Sequence, residues 1–185
     1  TDAAFVYLND GSQIKSKLII GADGRDSLVR DKSQIKISKR ELPQKALTFI
    51  VTHERPHKNA SIEIHRSGGP FTFVPLADFE GQPCSSVVWM DSNKNVKRLL
   101  TLKTKEFEEE ANNRSCMHLG KLRVISEISD WPIISQLAKQ LTAKRTALIA
   151  EAAHVLPPIG DQGLNMSRSD IKSLHDLAKS PSRRT

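Results

Sequence analysis

An α+β fold, a mixed and largely antiparallel sheet with flanking helices, is predicted by three features of the sequence. Four β-rich runs, Ala46 to His53, Ala60 to His65, Phe71 to Leu76 and Ser85 to Met90, follow one another with only Pro, Gly and Asn clusters between them. The stretch from Lys94 to Asn113 is charged, with apolar positions at Val96, Leu99, Leu100, Leu102 and Phe107, a pattern that favours one or two surface helices. Near the end of the chain, Leu164, Ile171, Leu174 and Ala178 recur at near-helical spacing.

The elements follow in order. Phe5 to Leu8 and Gln13 to Ile20 read as a hairpin, because Asp10-Gly11 readily supplies the positive φ angles of a tight turn. Gly21 to Ser27 is a turn, and Asp26 or Ser27 caps a short helix running through Arg30. Residues 32–44 are polar without a sustained period and read as a connection. After the four β-rich runs and the charged helices, a strand is expected at Lys121 to Ile128 and a helix from Pro132 to Gln140. Thr146 to Ala150 is a short apolar strand, and the closing helix begins near Gln162. Residues 180–185 read as a frayed end.

Composition narrows the function classes. The chain has 185 residues, 38% of them hydrophobic, which suits one compact domain or one domain with part of another and argues against full disorder. Cys84 and Cys116 have no second cysteine nearby, so neither a disulfide framework nor a cysteine zinc site is suggested. His53 and His57 lack a carboxylate pattern, and no metal site is expected. No apolar run approaches the ~20 residues that cross a bilayer. The expected location is the cytoplasm. The chain does not begin with Met, which reads as a piece of something longer. The net charge of +7 is spread over Lys15 to Lys45, Lys94 to Lys105 and Lys139 to Arg145 without interleaved aromatics, so a solvated basic face is preferred to nucleic-acid binding. Trp89 and Trp131 lie in or beside apolar runs and read as core. Phe71, Phe73 and Val74 are read either as the lining of an apolar cavity or as ordinary packing.

Two segments carry most of the chemical information. Leu18 to Arg30 is an apolar strand running into a glycine-bracketed Asp23, which places a carboxylate and backbone N–H groups at the carboxyl end of a strand, a usual place for ligand contacts. The alternative is a strand-to-helix turn in which Asp23 only caps. Ala147 to Asp170 leads from a buried strand through a Pro/Gly loop to a helix N-terminus, where unpaired N–H groups and the helix dipole favour negative charge. Gly160 and Gly163 let a planar ligand approach the backbone closely.

Together these segments resemble the flavin-dependent aromatic hydroxylases, most closely the branch that hydroxylates ubiquinone precursors. Gly21, Ala22, Asp23, Gly24, Ser27 and Arg30 match the first family motif. Ala152, Ala153, His154, Pro158, Gln162, Gly163, Leu164, Asn165 and Asp170 match the second. Gly69-Pro70-Phe71 with Leu76, and Ser86 to Trp89, resemble strands of the family's substrate domain.

The resemblance implies the substrate-domain portion of a two-domain flavoprotein monooxygenase. Residues 1–31 would close the FAD-binding domain, 32–145 form the substrate domain, and 146–185 return to the FAD-binding domain. FAD would be reduced by NAD(P)H and, through a flavin hydroperoxide, transfer oxygen to an aromatic ring bearing a prenyl tail, with the cofactor carrying the difficult chemistry. No side chain is expected to act as a catalytic nucleophile. The implied cofactor contacts are Asp23, Gly24, Arg25, Glu151, Pro158, Gly160, Gln162, Gly163, Leu164 and Asn165. His154 is read as a hydrogen-bonded structural residue. A basic surface would assist peripheral contact with an anionic inner membrane.

The sequence departs from the family in definite places. The Gly-x-Gly-x-x-Gly turn that binds the cofactor pyrophosphate is absent, so the chain is expected to need a missing N-terminal dinucleotide-binding segment, to bind flavin weakly or not at all alone, and to be inactive in isolation. Ala150-Glu151 stands where the family has Gly-Asp, Asp161 where a small residue is usual, and Ser167 where a glycine is usual. Two rival readings remain: a cofactor-free degenerate relative acting as an interaction module, and a basic domain binding an anionic partner.

Overall fold

The computed structural model describes residues 3–160 and 162–179. In chain order the elements are β1 (Ala4–Tyr7), β2 (Gln13–Ser16), β3 (Ile19–Gly21), α1 (Leu28–Lys32), β4 (Ile37–His53), β5 (Ile62–Arg66), β6 (Gly69–Phe79) and β7 (Gln82–Ser92). They continue with α2 (Asn93–Leu99), α3 (Thr104–Arg114), β8 (Leu122–Val124), β9 (Ser129–Ala138), β10 (Thr142–Ala143) and β11 (Thr146–Leu148). A 3-10 turn (Ala150–Ala152), β12 (His154–Val155) and α4 (Gln162–Lys179) complete the chain. The fold is α+β. Two compact units form, one from Leu42–Ile133 and the other from the residues up to Glu41 and from Ile134 onward.

In the Leu42–Ile133 unit the strands run in the order β4-β7-β6-β5, all antiparallel, with β8 paired to the end of β4. Strand alternation sorts side chains by parity. Leu47, Phe49 and Val51 of β4, Phe71 and Phe73 of β6, and Val87 and Trp89 of β7 share one buried face. Val96 and Leu99 of α2 and Phe107 and Ala111 of α3 cover it. Phe49 and Phe107 meet edge to face with ring centroids 5.1 Å apart. Each fully buried side chain of this size contributes about 1.5–3 kcal/mol relative to exposure. The charged stretch therefore forms two helices because its few apolar residues fall on the side that closes this core. Ser92 caps α2 by accepting the Asn95 N–H at 3.3 Å.

The opposite face of that sheet is only partly covered. Thr48 and Ile50 of β4, Thr72 of β6, and Ser86 and Val88 of β7 are half-buried, and Val74 is exposed. Register aligns Thr48, Val88 and Thr72 in one row and Ile50, Ser86 and Val74 in the next. Phe71 and Phe73 are thus core residues, and only Val74 of that trio lies on the open face. Trp131 is 57% exposed rather than core; its indole N–H donates to Thr48 Oγ1 at 3.0 Å. The apolar neighbours of Trp131 suggested burial; Trp131 and Ile133, two residues apart on β9, share one side of the strand, but Ile133 packs beside Ala46 and Met90 while Trp131 rests over the partly covered face at Thr48.

In the other unit, β1 and β2 form the hairpin, closed by the Leu8 N–H to Ser12 carbonyl bond, with Gly11 at φ +83°. The strand expected over 13–20 is broken. β2 ends at Ser16 and β3 leaves the hairpin to pair in parallel with β11. A small core of Ile35, Ala138, Leu148, Ala152 and Ala153 holds this unit together. Gly21 sits where β3 passes closest to its neighbours: a Cβ there would lie 2.7 Å from Leu148 Cδ2 and 2.9 Å from Val29 Cγ1.

Two further expectations are corrected. The connection assigned to 32–44 is strand from Ile37, and the helix assigned to 132–140 is strand β9. Pro132 suggested a helix start, yet Ile133 and Ile134 favour extended backbone, and β12 pairs with the end of β9 at Gln136 and Leu137. Tertiary pairing overrides the local helix signal. The strand expected over 121–128 is shorter, Leu122–Val124. α4 begins at Gln162 as predicted, but its half-buried residues are Ser167, Asp170 and Leu174, while Leu164, Ile171 and Ala178 are exposed. The expected frayed end at 180–185 lies outside the described residues.

Candidate cofactor-facing site

Parallel pairing of β3 with β11 aligns Ile19 with Thr146 and Gly21 with Leu148, so both strands end at the same level. The two motif loops, each leaving the carboxyl end of its strand, are therefore neighbours although more than a hundred residues of chain separate them. Direct contacts join them. Arg25 Nη2 lies 3.3 Å from Glu151 Oε1, and Arg30, 4% exposed, donates from Nη1 to the carbonyls of Arg25 at 2.9 Å and Ala152 at 3.3 Å. Buried Gln136 on β9 adds an N–H donor to the same Arg25 carbonyl at 2.9 Å.

Asp23 faces α1. Its Oδ1 accepts the Ser27 hydroxyl at 2.5 Å and its Oδ2 accepts the Val29 N–H at 3.1 Å, while Ser27 Oγ caps the helix by accepting the Arg30 N–H at 3.0 Å. Partial burial alone would raise the Asp23 pKa, but these donors outweigh it and hold the carboxyl below its ordinary value. The carboxylate is thus committed to shaping the turn. Gly24, at φ +83°, supplies the left-handed backbone that reverses the chain after Asp23. A cleft of about 960 Å³ beside β3 is lined by Phe5, Tyr7, Ile19, Asp23, Leu28 and Lys144, among others.

The second loop is held differently. Ala150 adopts φ +54°, a left-handed conformation in an L-residue with a side chain. Its N–H donates to Asp170 Oδ2 at 2.9 Å, and the same oxygen lies 2.6 Å from His154 Nε2. A carboxylate only accepts, so Nε2 carries the hydrogen. His154 is buried and hydrogen-bonded, as the sequence suggests. Glu151 projects outward, half-exposed. Pro158, Gly160, Gln162, Gly163, Leu164 and Asn165 are all exposed, and a Cβ at Gly160 or Gly163 would meet no heavy atom within 4 Å. This stretch leaves room for a flat ligand against the backbone. The first-turn amides of α4 have no intrahelical acceptors. Ser167 returns its hydroxyl to the Gly163 carbonyl at 2.8 Å, and Asp161 lies outside the described residues.

The structure thus brings Arg25 and Glu151 into contact and ties the turn that carries Glu151 to α4 through Asp170. Among the described residues, no hydrogen bond joins Asp23 to residues 162–165. Gln136 was not identified from sequence, because the residues around it read as helix. The signal available was the β-branched pair Ile133-Ile134 just before it. Asp170 was legible as a motif match, but not as the acceptor for Ala150.

Adjacent parallel strands whose loops meet at their carboxyl ends, beside an exposed helix N-terminus, form the kind of edge on which α/β proteins bind nucleotide cofactors. A family model described as FAD binding domain matches residues 2–179, and the chain belongs to that family. It is 32% identical over 173 residues to ubiquinone hydroxylase UbiL of Rhodospirillum rubrum, covering 94% of this chain and 39% of that protein. It is 28% identical to 3-demethoxyubiquinol 3-hydroxylase of Escherichia coli, covering 95% of this chain and 44% of that protein. The chain therefore spans about two fifths of the length of these relatives. Among solved structures, PqsL of Pseudomonas aeruginosa superposes with a TM-score of 0.71 at 22% identity, covering 93% of this chain and 48% of that one. BrvH, a flavin-dependent halogenase from Brevundimonas, gives 0.66 at 17% identity, covering 94% and 33%. At these identities the likeness establishes the fold.

Proposed function

We propose that this chain supplies the flavin-facing edge and the substrate sheet of an FAD-dependent hydroxylase acting on the aromatic ring of a ubiquinone precursor. The observation that carries the proposal is the pairing of β3 with β11, which sets the Gly24-Arg25 and Glu151 loops side by side at the carboxyl ends of parallel strands. FAD, reduced by NAD(P)H, would supply the oxygen-transfer chemistry. Glu151 would face the ribityl hydroxyls, where its carboxylate can accept hydrogen bonds. The amides of Gln162 to Asn165 would face the pyrimidine edge, where the helix dipole favours negative charge. Pro158 and Gly160 would shape the loop between them, and Asp23, already engaged with Ser27 and Val29, would hold the Gly24-Arg25 turn in place.

Thr48, Ile50, Val74 and Val88 on the partly open sheet face, with Trp131 beside Thr48, offer a largely apolar surface suited to an aromatic ring. A prenylated substrate would bring the protein to the surface of the inner membrane. No described helix is long and apolar enough to cross a membrane.

The test is genetic. The chain joined to an N-terminal dinucleotide-binding segment, expressed in E. coli lacking its 3-demethoxyubiquinol 3-hydroxylase, is expected to restore ubiquinone in quinone extracts measured by mass spectrometry, and the chain alone is not. Accumulation of only the unhydroxylated precursor with the joined protein would contradict the proposal.

A further inference from the structure

We infer that Asp170 is a positioning residue whose carboxylate clamps the left-handed turn at Ala150, and so sets where Glu151 stands relative to α4. The turn is fixed from several sides. Its exit is held by the Ala138 N–H on the Ala153 carbonyl at 2.8 Å and by Arg30 on the Ala152 carbonyl. Its closure is the Ala153 N–H to Ala150 carbonyl bond at 2.9 Å. The entry at Ala150 has one anchor for its amide, Asp170 Oδ2 at 2.9 Å.

That anchor acts on the residue that needs it most. Ala150 pays for φ +54° with a Cβ crowded against its own backbone, a cost that glycine would not bear. A charged acceptor makes a stronger hydrogen bond than a neutral one, so a carboxylate is suited to hold a strained amide. His154, 5% exposed, donates to the same oxygen at 2.6 Å and keeps the carboxylate aimed at the turn.

The clamp also orients α4. Among its described residues none is fully buried, so apolar packing alone anchors this helix weakly. Asp170 lies seven residues beyond Gly163, on the same side of the helix two turns along. The carboxylate therefore links the carrier of Glu151 to the helix that begins with Gln162 and Gly163. What the clamp serves rests on the flavin-edge reading above; that the clamp exists does not.

The test is a double-mutant cycle in the full chain without flavin, combining Asp170→Ala with Ala150→Gly. Urea unfolding midpoints and backbone amide NMR of residue 150 are measured. Asp170→Ala is expected to speed exchange of the Ala150 amide at least tenfold and to shift its HN–Hα coupling away from the left-handed value. In the Ala150→Gly background the same substitution should lower the midpoint by clearly less, because the strained residue it restrains is gone. An equal loss in both backgrounds, or an unchanged Ala150 amide, would overturn the inference and leave Asp170 as a simple partner of His154. If Asp170→Ala does not fold, Asp170→Asn, which removes the charge from the acceptor, carries the same cycle with the same two outcomes. Failure of the flavin-edge reading shows separately, in the genetic test, and moves none of these readouts.

Discussion

Arg25 and Glu151 meet at 3.3 Å across 126 positions of sequence, and their contact joins the two motif loops. Both side chains are about half-exposed, 46% and 50%, so solvent screens the pair and its stabilisation is modest. Glu151→Gln should therefore change unfolding stability by less than about 1 kcal/mol. In 1 M salt the difference between wild type and variant should shrink further. A loss of several kcal/mol in urea titrations would show that the pair is a structural keystone.

Gly21 makes a sharper prediction. Because an added methyl would press on Leu148 and Val29 at 2.7–2.9 Å, Gly21→Ala should destabilise the unit by about 1–3 kcal/mol. Both neighbours are side chains able to shift, which keeps the cost within that range. An unchanged urea midpoint would show that β3 and β11 are not packed as closely as described.

Asp23 predicts an acid limb. Its folded pKa lies below the ordinary aspartate value of 3.8. It therefore contributes stability above the unfolded value, and that contribution is lost as pH falls through the lower folded value. The unfolding midpoint should drop on acidification below about pH 4 in wild type, by an amount reduced in Asp23→Asn. Identical acid limbs in the two proteins would remove the hydrogen bonds from Ser27 and Val29 as the cause.

His53 predicts a second limb nearer neutrality. Burial lowers its pKa below 6.5; the Arg55 carbonyl opposes this, His57 adds to it, and Asp78 opposes it. Its Nδ1 bonds the Arg55 carbonyl at 2.8 Å and its Nε2 meets Ser85 Oγ at 2.9 Å, an arrangement a neutral ring satisfies. The unfolded chain takes up the proton first, so stability is present above pH 6.5 and is lost as pH falls through the folded value. Subtracting the profile of His53→Gln from that of wild type should isolate this component. A difference that stays flat between pH 5 and pH 8 would contradict it.

Much of the fold was legible because its signals are local. Asp10-Gly11 marks a hairpin turn, alternating residues from Ala46 to Met90 mark strands, and the apolar spacing of the closing helix marks α4. What escaped was set by partners distant in sequence. Nothing local tells Ile19 to pair with Thr146 rather than continue the hairpin, or tells the stretch after Pro132 to extend. Trp131 was misplaced because a residue's apolar character does not reveal how far its strand face is covered: it shares the side of buried Ile133 but rests over the partly open face beside Thr48. For the site, the motif residues were visible, but their division of labour was not. Asp23 braces the turn into α1 through Ser27 and Val29, Arg25 reaches Glu151, and Asp170 holds Ala150, which are facts of geometry rather than of residue type.

The central claim is that the Gly24-Arg25 loop, the Glu151 turn and the first turn of α4 form one flavin-facing edge. The most direct measurement is a titration of the isotopically labelled chain with FAD, followed by backbone amide chemical shifts. The account predicts weak, fast-exchanging binding with the largest shifts at Arg25, Glu151 and Gly163 to Asn165. Shifts confined to the Leu42–Ile133 unit, or none at these amides at millimolar FAD, would contradict it.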